Sequence, residues 1–291
     1  MIQKRIYKVA EQLFAIEAEE ERFAYLANYT PFQADEMEGN SLFTIHLKGG
    51  MLPGVEGWKF MHADAPERDL PRMETYRRAD EWLFRLISAQ EKVLSVFMFC
   101  ADRRDVALYA CLEDVRLAVD SAAMLLYAFC TAQRHTLLFH ASVTVRNGKG
   151  FLFLGRSGTG KSTHSQLWQQ AFTDAELLND DNPVVRILPD ETVRVYGSPW
   201  SGKTPCYKNQ DVPVGALVML EQAPCNAIHL CKMTQAYPYI LASVIGLKLL
   251  PQMMDLLYES IAQLLGSCPV YKLECLPNLE AAQLCAQTCL S

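Results

Sequence analysis

The sequence predicts an α/β core over residues 119–291, behind a mainly β module over residues 1–118. Three observations carry this reading. The apolar run Phe151–Leu154 passes through a glycine-rich turn into a stretch of helical character from Ser162, a strand–turn–helix unit. Strand-like and helix-like runs both follow it to the C-terminus. The first 118 residues instead give strand-like runs separated by polar or Gly/Pro-rich breaks.

Along the first module, Arg5–Ile16 and Glu21–Tyr29 alternate loosely between apolar and polar residues, and Ser41–Leu47 (SLFTIHL) is a short strand. Gly49–Pro71, with Gly-Gly, Pro-Gly and charge clusters, reads as loop. Trp82–Ser88, Val93–Cys100 and Asp105–Leu112 are three further strand-like runs, and the break Ala101–Arg104 is turn-like. His46 and His62 stand isolated and read as structural or surface residues. A substrate-docking role for the module would rest on its position alone.

Asp120–Gln133 combines a capping aspartate with apolar residues at helical spacing, a helix entering the second domain. Two strands follow, joined at Asn147–Gly150, where Asn-Gly supplies the backbone freedom of a tight hairpin. His140 lies on the first strand, and the second runs into the glycine-rich turn. Beyond the helix, Ala175–Asn179 is a short apolar strand ending in Asp180 and Asp181. Pro183–Leu188 and Glu191–Gly197 form a second hairpin around Pro189-Asp190. It leads to the loop Tyr196–Lys203, which offers two hydroxyls, a lysine and Trp200 as a stacking face. Val214–Glu221 and Ala227–Met233 are strands, and Gln235–Leu265 is helical with a break at Pro251. Val270–Leu273 is the last strand, and Asn278–Cys289 is a closing helix capped by Asn278.

The chemistry concentrates in Gly155–Ser162, GRSGTGKS, which fits G-x-x-x-x-G-K-[ST] without a mismatch. Glycines let backbone N–H groups turn inward around phosphate oxygens, and the following helix adds its positive end. Gly155, Ser157, Gly158, Thr159, Gly160, Lys161, Ser162 and Thr163 are therefore the candidate nucleotide cradle. Lys161 would neutralise the outer phosphates and the Ser162 hydroxyl would ligate Mg²⁺. Asp180 and Asp181 suit the crevice at the carboxyl ends of sheet strands, where one carboxylate can serve a metal and the other an acceptor's proton. His140, on a strand beside the cradle, is suited to proton transfer or phosphate contact.

Composition narrows the partners. Half the residues are apolar and 21% are charged, ordinary for a globular protein, and the net charge of −6 argues against nucleic acid. The sequence shows no apolar run near the roughly 18–20 residues of a membrane span and no signal peptide, so a cytoplasmic location is expected. Ten cysteines contain no C-x-x-C and read as structural thiols rather than a zinc site.

FHASVTV, GKGFLFLGRSGTGKST and LLNDD together resemble the catalytic domain of the HPr kinase/phosphorylase family, over roughly Leu137–Leu188. The resemblance implies a P-loop core related to ATP-dependent phosphoenolpyruvate carboxykinase and transfer of a γ-phosphoryl group to a hydroxyl, on Ser of a peptide or protein or on a small molecule. It implies ATP and Mg²⁺ as cofactors, Lys161 on phosphate, Ser162 and Asp181 on metal, and His140 lining the site. One of Asp180 and Asp181 would be the base. Thr163 stands where that family usually has Glu, and YGSPWSGK lacks the carboxylate of the family's glycine-rich segment, which points to an acceptor other than HPr. A homo-oligomer is compatible with this reading. The rival readings are an ATP-binding sensor without phosphotransfer and a carboxykinase-like lyase.

Overall fold

The computed structural model describes residues 1–35, 39–65, 71–100, 104–202, 204–246, 248 and 250–290. Lys203 and most of the expected turn Ala101–Arg104 lie outside the described residues. The chain divides into two compact units, Met1–Tyr127 and Ala128–Ser291, and the division falls inside helix α1 (Val115–Thr131).

The first unit is built on one mixed sheet. Its strands are β1 (Ile2–Val9), β2 (Gln12–Glu19), β3 (Gln33–Ala34), β4 (Thr44–Lys48), β5 (Lys59–Ala63), β6 (Arg72–Arg78), β7 (Glu81–Ile87), β8 (Val93–Cys100) and β9 (Asp105–Ala110). They lie in the order β3-β1-β2-β4-β9-β8-β7-β6-β5, with β2–β4 and β4–β9 parallel. Three expectations need correction here. Glu21–Tyr29 is not a strand but part of 3-10 turns over Glu20–Phe32. Its buried residues Phe23, Leu26, Tyr29 and Phe32 recur every third position, the 3-10 repeat. The expected loop Gly49–Pro71 contains the exposed edge strand β5. Asp120 does not cap a helix, because α1 begins at Val115 and holds it internally.

Leu112–Arg134 is long and apolar enough to cross a bilayer by length and composition, contrary to the sequence expectation, but 56% of the 18-residue apolar window within it is buried inside the protein. Val115, Ala118, Val119, Ala122, Ala123, Leu126 and Tyr127 all face inward at helical spacing. Tyr127 meets Phe14 and donates its hydroxyl proton to Val9 O at 2.9 Å. This is the pattern of a core helix.

The second unit comprises β10 (Thr136–Phe139), β11 (Ala141–Arg146), β12 (Lys149–Leu154), α2 (Lys161–Ala171), β13 (Glu176–Asp181), β14 (Val184–Ile187) and β15 (Val193–Tyr196). It continues through β16 (Asp211–Gln222), β17 (Ala227–Leu230), α3 (Met233–Ser243), β18 (Val244–Ile245), α4 (Pro251–Ser267), β19 (Val270–Cys275) and α5 (Leu279–Leu290). The strand order is β13-β11-β12-β16-β15-β14-β10-β18, with β19 on β16 and β17 on β19. β12–β16 and β16–β19 are parallel. The expected helical stretch Gln235–Leu265 is interrupted by β18, which pairs with β10. Asn278 does cap the last helix, its Oδ1 accepting Ala281 N–H at 3.0 Å.

β12 explains the layering. Phe151 and Phe153 point to one face and pack with Leu167 and Trp168 of α2 and with α5. Leu152 and Leu154 point to the other and pack with Ile240 of α3 and Leu257 and Ile261 of α4. A strand buried on both faces reads as a continuous apolar run, which Phe151–Leu154 is. Each such fully buried side chain contributes roughly 1.5–3 kcal/mol. The Asn147-Gly148 turn carries φ of 51° and 70°, as a two-residue hairpin of this hand requires. All ten cysteines are free thiols; Cys206, Cys268 and Cys285 are buried, whereas Cys111 and Cys225 are exposed rather than core. Burial pushes the Cys268 thiol up to about 12.

Candidate functional site

The loop Gly155–Gly160 leaves the C-terminal end of β12 and delivers Lys161 as the first residue of α2. Gly158 and Gly160 hold φ of 78° and 107°, while a Cβ at either would meet nothing within 4 Å. Backbone conformation rather than space therefore calls for glycine. The loop's carbonyls are engaged. Arg156 O accepts Thr159 N–H at 3.1 Å and the Thr159 hydroxyl at 2.6 Å. Gly158 O and Thr159 O receive longer contacts of 3.4 and 3.5 Å from Gln222 at the end of β16. The Thr159 N–H is spent inside the loop on Arg156 O, and the remaining N–H groups of such a loop are the ones an anion would take.

α2 is seated by its aromatic face. Trp168 packs against Phe151 and Phe153 at 5.0 and 5.5 Å between ring centroids. His164, which the sequence reading passed over, sets its ring edge on Phe153 at 4.6 Å and accepts Trp168 Nε1–H at 3.2 Å. Burial pushes its pKa down to about 4, so it is a neutral packing residue. A buried bond of 2.6 Å between the Ser142 and Ser165 hydroxyls ties β11 to α2.

Lys161 is 8% exposed, and its three ammonium protons have three acceptors. These are His140 Nε2 at 2.9 Å, Gly155 O at 3.0 Å and Arg156 O at 3.4 Å. The other ring nitrogen of His140, Nδ1, lies 3.0 Å from Asp181 Oδ1. A neutral imidazole donating from Nδ1 to the carboxylate and accepting at Nε2 from the ammonium satisfies both contacts. Burial holds the Lys161 pKa below that of a free lysine, while Asp181 and then Asp180 pull it back up. Of the expected residues, the structure thus joins Lys161, His140 and Asp181 in one hydrogen-bonded chain. Ser162 is half-buried in the first turn of α2, and Ser157 and Thr163 are exposed.

His140 itself is not inside a strand. The expected single strand breaks there, between β10 and β11, and the His140 N–H goes to Ser243 O at 2.7 Å.

The two aspartates end β13 and differ in setting. Asp180 is opposite Ser142 in the β11–β13 register and is 3% exposed; among the described residues no hydrogen bond reaches its carboxylate. The Asp181 side chain is 35% exposed and also accepts Asn182 Nδ2–H at 3.0 Å. The segment around them is built by residues the sequence reading did not single out. Asn179 Oδ1 accepts Asn182 N–H at 3.0 Å, Asn179 Nδ2 donates to Ser198 Oγ at 3.1 Å, and the Ser198 hydroxyl donates to Asn182 O at 2.6 Å. The polar run Asn-Asp-Asp-Asn was the available signal. Trp200, expected as a stacking face, is 2% exposed and therefore belongs to the core. The hydroxyls of Ser198 and Ser201 face backbone rather than ligand.

Among the described residues no group of three or more His, Cys, Asp or Glu side chains is arranged to hold a metal ion. The donor set is a hydroxyl at a helix start and a buried carboxylate without a hydrogen bond. That fits an ion such as Mg²⁺, which takes one or two protein oxygens and completes its shell with phosphate and water.

A scan against protein-family models returns no match, and neither does a search of curated proteins. Solved structures that match include the Hpr(Ser) kinase/phosphatase from Coxiella burnetii, at 12% sequence identity over 52% of this chain and 86% of that one, with a TM-score of 0.30. The likeness is distant, and nothing about activity follows from it.

Proposed function

We propose that this chain is an ATP- and Mg²⁺-dependent phosphotransferase that moves a γ-phosphoryl group to a hydroxyl, a serine of a peptide or protein, and that its second unit is an HPr kinase-like P-loop core. The observation that carries the reading is the chain Lys161–His140–Asp181, which links the lysine of a phosphate-binding loop to a carboxylate. On this reading the loop N–H groups bind the phosphates, and Lys161 exchanges its own loop's carbonyls for their oxygens. Asp181, the more exposed carboxylate, takes the proton of the incoming hydroxyl as its oxygen bonds to the γ-phosphorus and ADP leaves. His140 holds Asp181 in place from Nδ1. Asp180 shares its face of the sheet with Ser142, which is bonded to α2, so it joins Ser162 on the metal side. This reverses the expected pairing of Ser162 with Asp181. Bound Mg²⁺ supplies charge neutralisation on the phosphates.

The test is transfer of label from γ-labelled ATP into serine-containing peptides and cleared lysate. Label should appear with the wild type and vanish in Asp181→Asn, with nucleotide affinity retained. Asp180→Asn should also lose transfer and should shift the Mg²⁺ requirement upward. Transfer that survives both changes would overturn the proposal. ATP binding without any transfer would favour a nucleotide sensor.

A further inference from the structure

The strand that carries the aspartates is the last in its sheet, so among the described residues one edge of β13 has no partner strand. That edge is covered by the segment that follows β15: the Cys206 thiol reaches Leu177 O and Leu178 O at 3.6 and 3.3 Å, and Ser201 and Gly202 cover Asp180 and Asp181. Asp181 forms an isolated antiparallel bridge with Ser201. Gly202 N–H donates to Asp180 O at 2.6 Å. The Ser201 hydroxyl lies 3.1 Å from Asp180 O and 2.6 Å from Thr204 O, and it accepts Cys206 N–H at 3.2 Å. On its other side Asp181 is paired with Ala141 of β11. The residue so enclosed has φ of 139°, a conformation L-residues rarely adopt. Such a backbone persists only where its surroundings over-determine it.

We propose that Ser201 and Gly202 form a strap that sets the direction of the Asp181 carboxylate, and that they are positioning residues for the phosphoryl transfer proposed above, on which this inference rests. The fit at Gly202 is what distinguishes a positioning device from a plain connection. A Cβ there would lie 3.1 Å from Asp181 Cβ, 3.2 Å from Asp181 Cγ and 3.3 Å from Asp180 O. These separations are tighter than ordinary contact, so the strap and the carboxylate stem already touch. Any side chain at Gly202 pushes on the group that bonds His140 at 3.0 Å. The Ser201 hydroxyl in turn anchors the strap to its own loop and to the Asp180 peptide. The strap's proposed effect is therefore on the direction of the carboxylate.

The test uses the full chain and two readouts. Gly202→Ala should lower kcat by about 10²-fold, the scale of a misplaced reacting group, with nucleotide affinity unchanged. Ser201→Ala should give a smaller loss in the same direction, and Ser201→Thr, which keeps the hydroxyl, should restore it. Independently of turnover, the ¹⁵N shift of His140 Nδ1 reports its bond to Asp181 and should move in Gly202→Ala. Wild-type kcat and an unmoved His140 signal in Gly202→Ala would overturn the strap. If the wild type binds ATP but transfers nothing, the phosphotransferase reading has failed. The strap's hold on Asp181 then stands or falls on the His140 signal alone. Should Gly202→Ala not fold, the same two readouts on Ser201→Ala and Ser201→Thr decide the matter.

Discussion

Asp120 offers a sharp test of the first unit. Its carboxylate, inside α1, accepts the Tyr29 hydroxyl at 2.7 Å and Asn28 Nδ2–H at 3.1 Å, with Arg116 Nε 3.6 Å away. Burial pushes its pKa from 3.8 to about 6, against the lowering effect of those three neighbours. A carboxyl raised in the folded state holds its proton more tightly there than in the unfolded chain. The stability it contributes is fully present below 3.8 and is lost as pH rises through about 6. The gap corresponds to roughly 3 kcal/mol. The side chain retains 18% exposure, so the realised effect is smaller, about 2 kcal/mol. Asp120→Asn keeps an oxygen for Tyr29 and Asn28 and removes the buried charge. It should therefore stabilise the first unit at pH 7.5 and do little at pH below about 4. Hydrogen exchange in peptides covering Asn28–Tyr29 and α1 isolates this unit from the other. Protection should rise about 30-fold at pH 7.5, that is, about 2 kcal/mol. A loss of protection at pH 7.5, or a gain independent of pH, would refute the reasoning.

Two other outcomes follow from the same structure. Lys161→Ala removes the one buried ammonium of the loop and should weaken ATP binding on the order of 100-fold, measured by titration calorimetry; unchanged affinity would contradict its phosphate role. His46 lies between Glu17 and Asp105, at 3.0 Å from each. Burial disfavours its charged form, but the bonds to Asp105 and Glu17 outweigh that and raise its pKa above 6.5. The stability it adds is complete below pH 6.5 and declines as pH rises through the raised value, so His46→Gln should flatten that part of the first unit's stability profile.

What could be read in advance follows from how local each signal is. The strand–turn–helix unit was legible because strand, turn glycines and helix start are consecutive in sequence, and Phe151–Leu154 is apolar on both faces because both faces are buried. The Asn-Gly hairpin and the Asn278 cap are likewise local. Glu20–Phe32 misled because a three-residue period sampled over nine residues looks like loose alternation, and it contains Pro31. β5 was missed because it is an exposed edge strand with little apolar pattern. Trp200 misled for another reason. Its neighbours are small and polar, as in a ligand loop, but those hydroxyls bind the backbone around Asp180–Asn182 and carry the indole into the core.

The position of the site follows from one interruption in the sheet. β10 and β14 pair with Leu138 opposite Val184, and β11 and β13 pair with Ala141 opposite Asp181. The register is the same on both sides of the gap, so these are two long antiparallel segments whose ladder opens over two positions. Phe139 opposite Pro183 keeps one bond, Phe139 N–H to Pro183 O at 3.0 Å, and the rung that is lost is His140 opposite Asn182. At that rung the backbone bonds are made elsewhere: His140 N–H goes to Ser243 O, and Asn182 N–H goes to Asn179 Oδ1. An uninterrupted rung would leave His140 a strand residue like its neighbours. The break instead lets its ring reach both the Lys161 ammonium on one side and the Asp181 carboxylate on the other. Asn179, Asn182 and Ser198 then appear for a reason that periodicity cannot supply, since a ladder opened inside a buried sheet must be closed by side-chain donors and acceptors. The polar residues that frame the aspartates are the cost of that opening, and the link between lysine and carboxylate is what the opening makes available.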